Sequence, residues 1–180
     1  GTSGTFVTWL RIDGAIAGEG DTLLSDSTGQ LSIRLDTSNR IFFQPQAGST
    51  SRVGDSPAVD PERFPTDGAW HHLAFSWDFN SNSLGIYIDG TLTPLFVDDL
   101  GDWTLAQNYG DLRFGANFAN GLRFAGDMAD LALFTTALDA SDINFIFANG
   151  VGDWIAANEP PVVPEPASIT LLSLAGAALL

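Results

Sequence analysis

The sequence predicts an all-β fold, two antiparallel sheets packed face to face, with one short helix late in the chain and an apolar helix as its tail. Three observations predict it. Short runs rich in β-branched and aromatic residues recur through the first 135 residues, separated by turn residues. The chain holds 19 Gly and 9 Pro, as frequent turns between short strands require. Before the tail, only the stretch after Leu138 spaces its apolar residues as a helix does.

Thr5 to Ile12 (TFVTWLRI) is the first strand and ends at Asp13-Gly14. Leu31 to Leu35 alternates Leu, Ser, Ile, Arg, Leu, which puts three apolar side chains on one face. Arg40 to Gln46 follows a polar turn, Asp36 to Asn39. Residues 47–69 carry Gly, Ser, Asp and Pro and read as a long loop. Trp70 to Trp77 is the next strand. Leu84 to Ile88 runs into Asp89-Gly90 and then Thr91, a two-residue hairpin signal, since both positions of a type I′ turn need positive φ. Leu112 to Ala116 and Met128 to Phe134 complete the strands. Asp139 then caps a helix that carries Asp142 three residues on, an apolar stripe of Ile143, Ile146 and Phe147, and a stop at Asn149-Gly150.

Composition excludes several functions. There are 22 acidic residues against 7 basic ones, a net charge of −15, and all the basic residues are Arg. Such a surface repels phosphate backbones and anionic membranes, so nucleic acid is not a partner; it suits divalent cations and neutral or basic partners. The absence of Cys excludes disulfides and thiol chemistry. The chain opens Gly1-Thr2-Ser3-Gly4, with neither Met nor a basic leader, and so reads as a fragment of a longer precursor.

The order of the motifs brings a family into view. Asp67-Gly68-Ala69-Trp70-His71-His72-Leu73-Ala74-Phe75-Ser76-Trp77-Asp78 resembles the "DG.WHH.A..WD" strand of LamG-like, concanavalin A-type jelly rolls. Leu84 to Gly90 is similar to that family's "L.lYvDG" hairpin, Leu112 to Ala116 to "lriGa", and Phe124 to Phe134 to "F.G.iDdv.iy". Thr136-Ala137-Leu138 before the helix completes the series, and the resemblance covers roughly residues 4–152. It implies a jelly-roll sandwich. It also implies one further strand before the Trp9 strand, pairing with Met128 to Phe134; without it, a sheet edge is expected to stand bare.

The tail is read separately. The jelly-roll domain is assigned to residues 1–154, a Pro-rich linker to 155–163 and a sorting tail to 164–180. After Glu165 no charge follows, and the 14 residues from Ala167 to Leu180 span roughly 21 Å as a helix, short of the ~30 Å bilayer core. Pro164-Glu165-Pro166 before an apolar run resembles the PEP-CTERM signal of Gram-negative bacteria. That resemblance implies export, transient anchoring in the inner membrane, and processing by an exosortase. The family closes with Arg or Lys, so the tail here is expected to be incomplete.

The candidate chemistry favours binding over catalysis. Some glycosidases share this fold and place Glu-x-Asp-x-Glu on one strand face; the chain has only Glu19, Glu62, Glu159 and Glu165 and no such triplet. Asp98 and Asp99 are adjacent and point oppositely on a strand. His71 and His72 face opposite sides for the same reason and are read as structural. Calcium is the one cofactor carried forward, with resemblance placing Asp26 and the Asp98, Asp99, Asp102 group at rim positions, and Asp127 and Asp130 flanking Ala129 where relatives have a ligand. Turn-forming Asp is the competing reading. Trp103, in the acidic loop, is the candidate ligand-binding aromatic, whereas Trp9, Trp70 and Trp77 lie on strands and are assigned to the core. The expected function is an exported recognition module at a bacterial surface or matrix, binding exopolysaccharide or a surface protein. The alternative is a structural matrix module without a discrete ligand.

Overall fold

The computed structural model describes residues 3–14, 16, 21–28, 31–44, 63–78, 80–81, 83–92, 110–117 and 121–158. Nine strands and two helices follow in order: β1 (Ser3–Asp13), β2 (Asp21–Asp26), β3 (Ser32–Leu35), β4 (Ile41–Gln44), β5 (Asp67–Asp78), β6 (Ser83–Ile88), β7 (Thr91–Leu92), β8 (Leu112–Phe114), β9 (Asp127–Phe134), α1 (Ala140–Asn149) and α2 (Val151–Asn158). One antiparallel sheet has the order β7-β6-β5-β1-β9 and the other β4-β3-β2-β8. The chain crosses between them four times, after β1, β4, β7 and β8.

Alternation along the strands builds the sandwich. Phe6, Leu10 and Ile12 of β1, Leu73, Phe75 and Trp77 of β5, and Leu84, Ile86 and Ile88 of β6 point inward. They meet Leu23, Leu24, Ile33, Leu35, Ile41 and Phe43 of the second sheet. The outer face of the five-stranded sheet carries a second, smaller core: Val7, Ala74 and Tyr87 lie under Ile143 and Ile146 of α1. Asp139 caps α1 by accepting from the Ser141 and Asp142 backbone N–H groups, and Asp142 answers the cap's own N–H in a capping box. The helix stops at Gly150, at φ 89°.

Most elements fall where the sequence puts them, with four differences. β2 has no counterpart among the expected strands. A second helix, α2, begins after Gly150 and continues to Asn158, into residues whose composition suggests a linker. Trp154 holds it, packing edge-on to Phe134 and donating to Asp142 Oδ1 at 3.0 Å. Trp70 is not a core residue; it is 40% exposed on the outer sheet face. Finally, β1 itself pairs with β9, from Thr5↔Phe134 to Arg11↔Asp127, so the Trp9 strand makes the pairing expected of a preceding strand. The far edges of β8 and β9 pair with no strand among the described residues. No described helix is long and apolar enough to cross a membrane. The tail, with Pro164, Glu165 and Pro166, lies outside the described residues.

Candidate functional site

The end of β1, the start of β5 and the start of β9 meet at one end of the five-stranded sheet. Arg11 pairs across the ladder with Trp70 on one side and Asp127 on the other. Its guanidinium lies 5.2 Å from the Trp70 ring centre. It also donates from Nε (2.9 Å) and Nη2 (2.7 Å) to Asp127 Oδ2. An indole, a cation and a carboxylate are thereby lined up on adjacent strands, each holding the next in place. The ion pair is half-exposed on both sides, so it orients these groups more than it stabilises the fold.

Beside this row opens a cleft of about 430 Å³ lined by Arg11, Asp13, Gly68, Ala125, Gly126 and Asp127. Gly68, Ala125 and Gly126 give it part of its wall. A Cβ at Gly126 would sit 2.6 Å from the Arg11 carbonyl oxygen, so close backbone approach requires glycine there. Gly68 has φ +81°, which also favours glycine.

The β6–β7 hairpin turn is fastened by His71. Its Nδ1 lies 2.7 Å from Asp89 Oδ2 and its Nε2 3.1 Å from Asp67 Oδ1. Asp89 Oδ1 also accepts the His72 backbone N–H at 2.8 Å. Burial opposes the charge on His71, but hydrogen bonds to Asp89 and Asp67 outweigh it and raise its pKa. His72 points to the opposite face, packed against Trp9 and Phe147, with both ring nitrogens buried and unpartnered. The two histidines thus face apart, as their adjacency on a strand requires.

A second cleft, of about 390 Å³, lies at the opposite end of the same face, beside Asp78, Ser81, Tyr87 and Asp139. Its carboxylates are occupied locally: Asp78 accepts from Asn80 and Ser81, and Asp139 caps α1. The Arg11–Trp70 end is therefore the better candidate.

The sequence-derived candidates divide. Trp103, Asp98, Asp99 and Asp102 lie outside the described residues. Asp26 is buried, and its carboxylate accepts from Leu31 N (2.8 Å), Gly110 N (3.1 Å), Thr28 N (3.3 Å) and the Thr28 hydroxyl. Carboxylate oxygens that face this many N–H and O–H donors staple loops and are poorly disposed to face a cation. Asp127 is engaged by Arg11. Asp130 is exposed, at φ 46°, beside the irregularity in the β1–β9 ladder. Among the described residues no three His, Asp or Glu side chains gather as a metal site. Trp70 was missed because a tryptophan on a strand reads as core; the signal that distinguishes it is its place near the strand's start, two residues after Gly68.

The sequence profile of the concanavalin A-like lectin/glucanases superfamily matches residues 1–144. No curated protein sequence matches the chain. Among solved structures, a proposed carbohydrate-binding protein from Bacteroides ovatus superposes with a TM-score of 0.58 at 16% identity, over 79% of this chain and 40% of that one. Botulinum neurotoxin type C, whose cell entry depends on two ganglioside molecules, gives 0.56 at 18% identity, over 82% of this chain and 35% of the toxin chain. Trypanosoma rangeli sialidase gives 0.58 at 14% identity, over 81% and 22%. The chain thus spans less than half of each of these proteins, and at such identities the likeness is one of fold.

Proposed function

Because this chain belongs to the concanavalin A-like lectin/glucanases superfamily, we propose that it is an exported, non-catalytic recognition module that binds carbohydrate at the Arg11–Trp70 end of its five-stranded sheet. One observation carries the reading: Trp70 is a large aromatic left exposed on a strand, beside a polar cleft, with its ring held by Arg11. Indole faces stack on the C–H faces of sugars, and a few fixed polar groups orient the hydroxyls. Arg11 Nη1, Asp127 Oδ1 and Asp13 lie outside the ion pair and supply such groups.

A binding role also accounts for the acids at the cleft. Hydrolysis needs one carboxyl that donates a proton and another that attacks or activates water. Asp127 Oδ2 accepts from two donors of Arg11, which engages it in the ladder. Export is part of the proposal through Pro164, Glu165 and Pro166 before the apolar run, with an exosortase as the processing enzyme and a Gram-negative envelope or matrix as the destination. Calcium stays in the proposal through Asp98, Asp99 and Asp102. A rise in melting temperature at millimolar calcium is what a site there requires, and no shift removes it.

The test is a pull-down on an immobilised polysaccharide panel, with turnover assayed on the same panel. Retention without turnover, lost in Trp70→Ala, is expected. Retention on no polysaccharide would favour the structural matrix reading, and turnover abolished by Asp127→Asn would restore the enzyme.

A further inference from the structure

Where the two sheets part, between β8 and β9, the sandwich leaves an apolar cleft of about 150 Å³ lined mainly by Leu31, Trp77, Leu112, Leu133 and Phe134. A space of that size admits about one apolar side chain. Among the described residues that line it, none is charged. Leu112 and Leu133 stand exposed at it, and the Trp77 indole N–H is buried without a partner. Buried donors are nearly always paired, so an orphan donor on a residue lining a cleft calls for an acceptor that the described residues do not supply.

The chain itself carries an occupant that fits. Trp154 of α2 packs 5.1 Å from the ring of Phe134, which is also a wall of the cleft. α2 ends at Asn158, about one helical turn further on. Residues 159–166 include four Pro and, at about 3.1 Å per extended residue, reach up to roughly 25 Å. Residues 167–180 follow without a single charge and bring Ile169, Leu171, Leu172 and Leu174. A second copy of the chain fits less well, because it brings another −15 against the first. A tethered segment brings no charge and is present at the millimolar effective concentration that a short linker confers.

We propose that the tail, residues 167–180, folds back within its own chain onto the β8–β9 cleft, seating an apolar side chain beside Trp77 until a membrane takes the tail up. The cleft then shelters the sorting tail in water, and a backbone carbonyl of the seated segment is the acceptor that the Trp77 N–H lacks. This docking is independent of what the Arg11–Trp70 end binds.

The chain has no Cys, so introduced pairs report contact without background. In the full chain, Leu112→Cys at the cleft is combined with Leu172→Cys in the tail, and disulfide formation is followed in a glutathione buffer. The comparison combines Leu172→Cys with Leu92→Cys, exposed on β7 at the opposite edge of the five-stranded sheet. An intrachain disulfide to position 112 is expected, favoured roughly tenfold or more over position 92. Leu133→Lys should remove most of that preference. Phe114→Cys, also exposed on β8, replaces Leu112→Cys should the latter fail to fold. Equal disulfide formation at positions 112 and 92 overturns the proposal, and so does a preference that Leu133→Lys leaves intact. Disulfides that join two chains and rise with protein concentration overturn it in favour of a second copy. A full chain that stays in solution only with detergent has its tail uncovered, which overturns it as well.

Discussion

His71 and His72 carry opposite pH dependences. Burial between Trp9 and Phe147 pushes the His72 pKa down to about 4, against the pull of Asp89. An imidazole in the unfolded chain titrates near 6.5, so between about pH 6.5 and 4 the unfolded state binds the extra proton. Stability therefore falls as pH drops through that window and levels off below it, a loss of about 3 kcal/mol. Urea denaturation at pH 7 and pH 4 reads it, and His72→Leu is expected to remove most of the difference. An unchanged difference would mean that the charged ring finds a partner in the fold. His71 runs the other way: burial disfavours its charge, but Asp89 and Asp67 together raise its pKa. Its contribution is full below about pH 6.5 and is lost as pH climbs through the raised value. His71→Asn should flatten the fall in stability above about pH 6.5, measured by the same denaturation series.

At the scale of elements, the β6–β7 turn links hairpin, helix and site. Asp89 and Gly90 both have positive φ, 49° and 74°, the signature that the Asp-Gly dipeptide announces. Gly90 is needed twice. A Cβ there would lie 2.7 Å from Asn144 Oδ1 and 2.8 Å from the Phe147 ring, both on α1. Gly90→Ala is expected to cost about 1–3 kcal/mol through strain and overpacking, and to loosen α1. Amide exchange concentrated in α1 checks it; uniform exchange would place the cost elsewhere. Such local chemistry is what made this hairpin legible, along with α1 and the alternating strand β3. β2 was illegible because its burial does not alternate. All six residues of Asp21–Asp26 are buried, and a register shift between Thr22 and Leu24 puts Leu23 and Leu24 both in the core. Its acids, which read as loop residues, turn inward to accept backbone N–H groups: Asp21 from Ala125 at 3.0 Å, Asp26 from Leu31. α2 lacked a readable stripe because only Val151 and Trp154, three residues apart, pack against the core. The candidate site was legible only as Asp127 in isolation, since the row Asp127–Arg11–Trp70 joins residues 116 positions apart through β1.

For the whole molecule, two opposed forces act on association. β8 and β9 end their sheets on the same side, and between them lies an apolar cleft of about 150 Å³ lined by Leu31, Trp77, Leu112, Leu133 and Phe134. Leu112, Phe114 and Leu133 are exposed there, and the buried Trp77 indole N–H has no partner. Two edges without a strand partner among the described residues, flanking an apolar cleft, favour strand addition between molecules. The charge of −15 opposes it, and does so over a range that salt sets: the screening length falls from ~30 Å at 0.01 M to ~3 Å at 1 M. A chain ending at residue 158, which keeps the apolar tail out of the measurement, is therefore expected to sediment as a monomer in dilute salt. Association should rise with protein concentration in 0.5–1 M NaCl. Leu133→Lys sets a charge at the mouth of the cleft, and should hold the protein monomeric across the salt series. Association that ignores salt would show that net charge does not restrain it. Association that ignores Leu133→Lys would move the contact away from the β8–β9 edge.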